Sequence, residues 1–322
     1  MSLQILTETT PKDIVLSEVW PNHQSEIIER AIVLTVAYAD VFDYPLTIRE
    51  IHRYLIGVQT SLETVSNALL ARQRTDRFLA YRQGYYTLQG REAIVETRQR
   101  RAAIAAKLWP KARFYGNLIA LLPFTRMVAV TGALAMDNTD SDADIDFMIV
   151  TEPGRLWLCR ALAILLVRWA ALHYDTVCPN LFLSEQALYY HQQDLYTAHE
   201  MVQMIPIAVH KVYRHMMTIN AWTLNFLPNA QDNGEVQMEP QHNLLVRKTG
   251  NYTEKFMRAP WIDRLERWEM TRKIRKFKRP NNRSNEANFS ADWCRGYFNA
   301  HEQRSLLAFD ERVSTIEADW SS

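Results

Sequence analysis

Apolar positions recur along this chain with a helical period first and a strand period later, and the change divides it. From Gln24 to Ala39, Ile27, Ile28, Ala31, Leu34 and Val36 form one stripe at helical spacing. A second helix follows FDYPL: Thr47 is a fitting N-cap, and Glu50 three residues on completes a capping box. A third, from Ser61 to about Arg74, turns Val65, Leu69 and Leu70 to one side. FLAYRQGYYTLQG then alternates about Gln83-Gly84, a hairpin signal. Three short helices followed by a hairpin are the order of a winged helix-turn-helix. Its third helix, with Arg72 and Arg74, could enter a nucleic-acid groove, or the unit could serve as a packing module. Glu63 and Asp76 beside those arginines favour packing.

Glu92 to Leu122 reads as one or two helices broken at Pro110. From Arg126 the period becomes two: a strand through MVAVTGALA, a polar loop from Met136 to Ala143, then ADIDFMIVT. A helix over Arg155–Leu172, a strand NLFLS at Asn180–Ser184, and helices around Gln193–Ile205 and Val209–Asn225 complete an α/β (α+β) pattern. Ala230–His242 is polar and proline-broken, and reads as a loop. A last helix is expected over Ser290–Val313. These boundaries divide the chain into 1–100, 101–229 and a helical C-terminal region, 230–322.

Composition narrows the classes. With 48% hydrophobic and 23% charged residues the chain is globular, and 37 basic against 36 acidic residues create no global field for nucleic acid. Cys159, Cys178 and Cys294 lie far apart, as suits a reducing compartment rather than a disulfide scaffold. Leu156–Leu172 is too short, and with Arg160 and Arg168 too charged, to span a bilayer. The early residues lack a signal-peptide pattern, so the expected location is the cytoplasm and no membrane partner is expected. One local excess stands out: ten Lys/Arg against three acids between Arg258 and Arg283. Arg272, Lys273, Arg275, Lys276 and Lys278 could follow a phosphate backbone with Phe277 stacking, or form a solvated helix end.

The chemistry concentrates in Val128–Thr151. Alternation along ADIDFMIV sends Asp144 and Asp146 to one side and Ile145, Phe147 and Ile149 to the other. Two like charges on one strand repel each other unless a cation lies between them. Upstream, Gly132 lets backbone amides approach a phosphate. Asp137, Asp140 and Asp142 read as a solvated turn.

This stretch resembles the polymerase-β-like nucleotidyltransferase superfamily: a strand ending at Gly132-Ala133, a loop, and a strand carrying Asp144-Ile145-Asp146. The resemblance covers about Pro123 to Ser184, and the order of winged helix and transferase core resembles bacterial nucleotidyltransferase-domain proteins. It implies a polymerase-β-like core and Mg²⁺- or Mn²⁺-dependent transfer of a nucleoside monophosphate, with ATP the default donor. The acceptor would be a hydroxyl on a small molecule, a protein or an RNA. Asp144 and Asp146 would be catalytic and hold metal. Gly132, Ala133, Arg155 and Arg160 would meet the phosphates. Ala133 stands where the family has serine, and Asn180 stands about where its third carboxylate belongs. Glu185 and Asp175 are the nearby acids, and substrate oxygens could complete the metal shell instead. The alternative reading is a non-catalytic nucleotide- or nucleic-acid-binding regulator with the same fold.

Overall fold

A computed structural model describes residues 21–71, 74–208, 210–230, 257–277, 288–295 and 301–320. Helix α1 (Pro21–Asp40) buries Ile28, Ala31, Ile32 and Val36 against α2 (Ile48–Arg53), α3 (Leu62–Ala71) and α4 (Thr75–Phe78). The capping box forms: Glu50 N–H donates to Thr47 Oγ1, and Thr47 N–H donates to Glu50 at 2.9 Å. Arg98 grips the same carboxylate with both terminal nitrogens, at 2.6 and 2.9 Å. Strands β1 (Leu79–Arg82) and β2 (Tyr85–Leu88) pair antiparallel. Positive φ at Gln83 and Gly84 closes them tightly, matching the twist of a two-residue hairpin. Leu46 bridges to Tyr86 and ties the hairpin to the helices.

Helix α5 (Ile94–Ala120) leads to a mixed sheet of order β6-β3-β4-β5-β8-β7. Its members are β3 (Thr125–Val130), β4 (Ile145–Thr151), β5 (Val177–Ser184), β6 (Ile205–Ala208), β7 (Asn288–Phe289) and β8 (Trp293–Arg295). β4 and β5 are parallel, joined through α7 (Leu156–Ala171), and the other pairs are antiparallel. One face, with Val128, Phe147 and Ile149, packs on α5 and α7. The other, with Met127, Ala129, Met148 and Val150, packs on α8 (Leu195–Gln203) and α9 (His210–Ile219). Helix α10 (Thr223–Phe226) follows. Helix α11 (Pro260–Phe277) lies on α7, whose first turn it caps: Glu266 accepts from Trp157 N–H at 2.8 Å and Leu158 N–H at 2.6 Å. Helix α12 (His301–Trp320) returns to the N-terminal unit through Ile316, Phe309 and Trp320. The molecule is thus mixed α+β around a mixed sheet.

Five expectations change. The strand expected through MVAVTGALA ends at Val130, and Gly132–Ala135 forms the short helix α6 instead. Helix α5 is not broken at Pro110; Ala105, Ala112, Tyr115 and Ile119 on both sides of the proline are buried, and their packing offsets the lost backbone hydrogen bond. The helix expected over Val209–Asn225 is interrupted at Asn220, whose buried amide bonds Tyr190 N–H and Leu188 C=O instead. Ile205 begins a strand rather than ending a helix, because β3 has an open edge there. Ser290 caps no helix: its hydroxyl accepts from Asp292 and Trp293 N–H in the turn between β7 and β8, and the described part of the last helix is His301–Trp320. Arg72, Lys278, Phe298, the Phe277 side chain and residues 231–242 of the expected loop lie outside the described residues. Among the described residues no helix is long and apolar enough to cross a membrane.

Candidate functional site

A cavity of about 500 Å³ opens between the N-terminal unit and the sheet. Asp144 and Asp146 lie on its sheet side, Glu200 and Gln203 of α8 and His301 of α12 also line it, and rings from α1 and its neighbours form much of the rest of the wall. Asp144 is exposed just before β4, and Asp146 is half-buried one pleat further on, as alternation requires.

The neighbours of Asp146 are set by a bulge. Phe147 pairs with Pro179 but Met148 pairs with Leu181, so Asn180 is an extra residue in β5. Before it, Val177 packs on the α7 side; after it, Leu181 and Leu183 pack on the other and Phe182 takes the α7 side. A bulge that reverses parity redirects a side chain locally. Here Asn180 Nδ2 donates to Asp146 Oδ1 at 3.0 Å. Gly132 (φ +66°) follows β3 on the opposite flank, where a methyl group would stand 2.9 Å from Asp146 Oδ2. The position therefore requires glycine twice, for its backbone conformation and for room.

Burial and neighbouring charge act strongly on Asp146. Burial, then the charges of Glu200 and Asp144, push the Asp146 carboxyl up to about 7, against bonds from Cys178 and Asn180 that lower it. The Cys178 thiol, paired with Asp146 in register, is pushed up to about 12 by burial and then by Asp146 and Asp144, and so is no nucleophile. Glu200 is also raised, by burial first; Arg295 acts against the rise and Glu302 with it. Among the described residues, neither aspartate nor Glu200 has a salt bridge, and no Lys or Arg lines the cavity.

The other predicted residues lie elsewhere. Ala133 lines the cavity beside Gly132. Glu185 follows Ser184, which pairs with Thr151, whereas Asp146 pairs with Cys178; this puts Glu185 about 15–20 Å along the sheet. It faces Arg126 at 3.9 Å and cannot complete a ligand set with Asp146. Asp175 is held by Lys111 and by Tyr115 at 2.7 Å. Arg155 flanks the far end of β4, paired with Asp263 at 2.7 Å and close to the Phe124 ring. Arg160 is on α7, across the sheet from Asp146, and bonds the Cys294 thiol. Neither arginine stands where a phosphate beside Gly132 would be. The loop acids behave as a structural turn: Asp137 accepts from Trp109 Nε1 at 2.7 Å and Asp140 pairs with Arg101 at 2.9 Å. Arg74 is paired with Glu26. Arg272, Arg275 and Lys276 line a separate groove on α11 with Trp268, and Arg272 and Lys273 share Glu269 at 2.6 and 3.9 Å.

Sequence reasoning missed Glu200, Tyr38 and His199. The run TAHEMVQM does place a lone Glu between residues whose apolar spacing marks α8 as buried, and that was the available signal. No protein-family model, curated protein or solved structure matches the chain.

Proposed function

We propose that this chain is a divalent-metal-dependent nucleotidyltransferase with a polymerase-β-like core, and that its N-terminal unit is a winged helix. One observation carries the reading: two aspartates at the start of one strand, with no salt bridge among the described residues, meet a cavity beside a glycine held at positive φ. Among the described residues no three His, Cys, Asp or Glu side chains group tightly enough to cage a metal ion. A Mg²⁺ ion bound by the two aspartates would therefore complete its shell with water and substrate oxygens. The raised Asp146 carboxyl, seated against Gly132, fits a cation there.

In the reaction, the acceptor hydroxyl oxygen attacks the α-phosphorus of the nucleoside triphosphate. A new O–P bond forms, the bond from that phosphorus to the α,β-bridging oxygen breaks, pyrophosphate leaves with the electron pair, and the hydroxyl proton passes to water. Mg²⁺, when bound, supplies positive charge to the triphosphate and the departing pyrophosphate. Asp144, at the open mouth, and Asp146, deeper in, provide the carboxylate oxygens that hold it. Asn180 fixes the Asp146 carboxylate through Nδ2 and adds no charge. The main chain at Gly132 can approach the phosphates because no side chain intervenes. No Lys or Arg among the described residues lines the cavity, so a bound cation would supply the neutralising charge there.

The test is pyrophosphate release from Mg²⁺-ATP by the purified chain across a panel of hydroxyl acceptors. Asp146→Asn is expected to lower the rate at least about 100-fold, the scale for removing a group that stabilises transition-state charge. It is also expected to remove the rise of melting temperature with Mg²⁺ concentration. A wild type without turnover on any acceptor, and with a melting temperature indifferent to Mg²⁺, would overturn the reading. The groove on α11 carries a second, separate reading: its cations with exposed Trp268 suit a nucleic-acid backbone, and a salt-independent interaction with RNA or DNA would remove it.

A further inference from the structure

The cavity is built to receive positive charge well beyond what the two aspartates require. Three groups away from the strand face it with unused acceptor capacity. Glu200 has no hydrogen bond or salt bridge among the described residues. Tyr38, only 4% exposed, also lines the cavity, and its hydroxyl has no hydrogen-bond partner among the described residues. His199, equally buried, is stacked on Tyr38 with ring centroids 4.1 Å apart. Its Nδ1 lies 2.9 Å from the Leu195 carbonyl, which can only accept, so Nδ1 carries the hydrogen and Nε2 keeps a lone pair. Burial pushes this imidazole down to about 4, so it stays neutral.

Around them stand Phe42, Tyr54 and Tyr196, whose ring faces attract cations. The nearest compensating charge is Arg295, which does not line the cavity and donates to Glu302 at 3.3 Å. A cationic group would supply Glu200 with a counter-charge, whereas an anion that brought no cation with it would meet acids on both sides. A volume of about 500 Å³ is that of a small-molecule site.

We propose that the Glu200–Tyr38–His199 side of the cavity binds the ammonium group of a small hydroxylated amine, and that this amine is the acceptor of the transfer. The second half rests on the transferase reading; the first does not. The ammonium N–H groups donate to Glu200, to the Tyr38 oxygen and to His199 Nε2, while the hydroxyls extend towards Asp144 and Asp146.

The experiment compares glucamine with sorbitol, the same hexitol with a hydroxyl in place of the amine, by calorimetry at neutral pH. The full chain is used without nucleotide or divalent metal. Glucamine is expected to bind at least tenfold more tightly. Glu200→Gln and Tyr38→Phe are each expected to weaken glucamine at least about fivefold and leave sorbitol unchanged. Tyr38→Phe removes one oxygen and keeps the ring stack, so the test survives if Glu200→Gln folds poorly. Equal affinities, or a preference untouched by both variants, would overturn the ammonium site. Adding Mg²⁺-ATP then separates the two ideas. Pyrophosphate release with glucamine supports both. A binding preference without release on any acceptor removes the transferase reading and keeps the site. Release with sorbitol but not glucamine overturns the acceptor assignment alone.

Discussion

The two ends of the β4–β5 pair treat charge in opposite ways. At the far end, Glu152 is paired with Arg126 and with Arg258 at 3.0 Å, Asp263 with Arg155, and Glu185 faces Arg126. At the cavity end, Asp144 and Asp146 share the space with Glu200, and no lysine or arginine lines it. Both ends belong to the same two strands. The far end is electrostatically self-sufficient, as surface ion pairs usually are. At the cavity end none of the acids has a salt bridge among the described residues. Burial and neighbouring acids raise Asp146 and Glu200, at a cost in stability that a purely structural role would not explain. Acids paired within the fold mark framework, and acids left unpaired at a cavity mark a place where something from outside is needed.

The largest expected effect that would sharpen this contrast is on stability against pH in metal-free buffer. With its folded value near 7 against an ordinary 3.8, Asp146 keeps a proton in the folded chain that the unfolded chain has released between about pH 4 and 7. Stability therefore falls as pH rises through that window, and levels off above it. Asp146→Asn should remove this slope and stabilise the protein at pH 8 by up to about 4 kcal/mol, the ceiling for moving one carboxyl that far. Denaturant titrations at pH 5 and 8 check it; an unchanged slope would put Asp146 on the same footing as the far-end acids.

Gly132→Ala should come next. Its methyl group must displace the Asp146 carboxylate and the residue must keep a left-handed conformation, so a loss of about 1–2 kcal/mol is expected, with turnover reduced more than tenfold. A variant as stable and active as wild type would mean that the close approach at Gly132 has no consequence. The smallest effect belongs to the control end: Glu185→Gln should shift stability by no more than about 0.5 kcal/mol and leave the Mg²⁺ response intact. A loss of activity comparable with Asp146→Asn would erase the distinction between the two ends.

Local chemistry was the legible part of the sequence. The Thr47–Glu50 box, the Gln83-Gly84 turn and the shared parity of Asp144 and Asp146 each depend on residues a few positions apart, and each stands as read. Pro110 misled because propensity is local whereas the packing of α5 on the sheet is not. Ser290 misled because a good cap serves a turn as well as a helix. Glu185 looked suitable by its position near a strand end, but the end matters: a parallel neighbour puts position 178, not 185, beside Asp146. Glu200 could not be placed at all, since only the docking of α8 across the cavity brings it into the field of a residue 54 positions earlier.

The cavity draws its rings and its strand carboxylates from separate stretches of chain. Tyr38, Phe42, Tyr44 and Tyr54 precede the sheet altogether, Gly132, Asp144 and Asp146 stand on or at the ends of β3 and β4, and Tyr196, His199 and Glu200 come from the segment of α8. Heritable change can therefore reach the two halves independently. Substitutions between positions 35 and 54 can reshape what fits without disturbing the carboxylates, so related chains could diverge in ligand while keeping one chemistry. The same partition offers an engineer a natural crossover point: exchanging the N-terminal unit between such chains would replace the ring wall from α1 and its neighbours as one piece while leaving Glu200 and His199 of α8 in place.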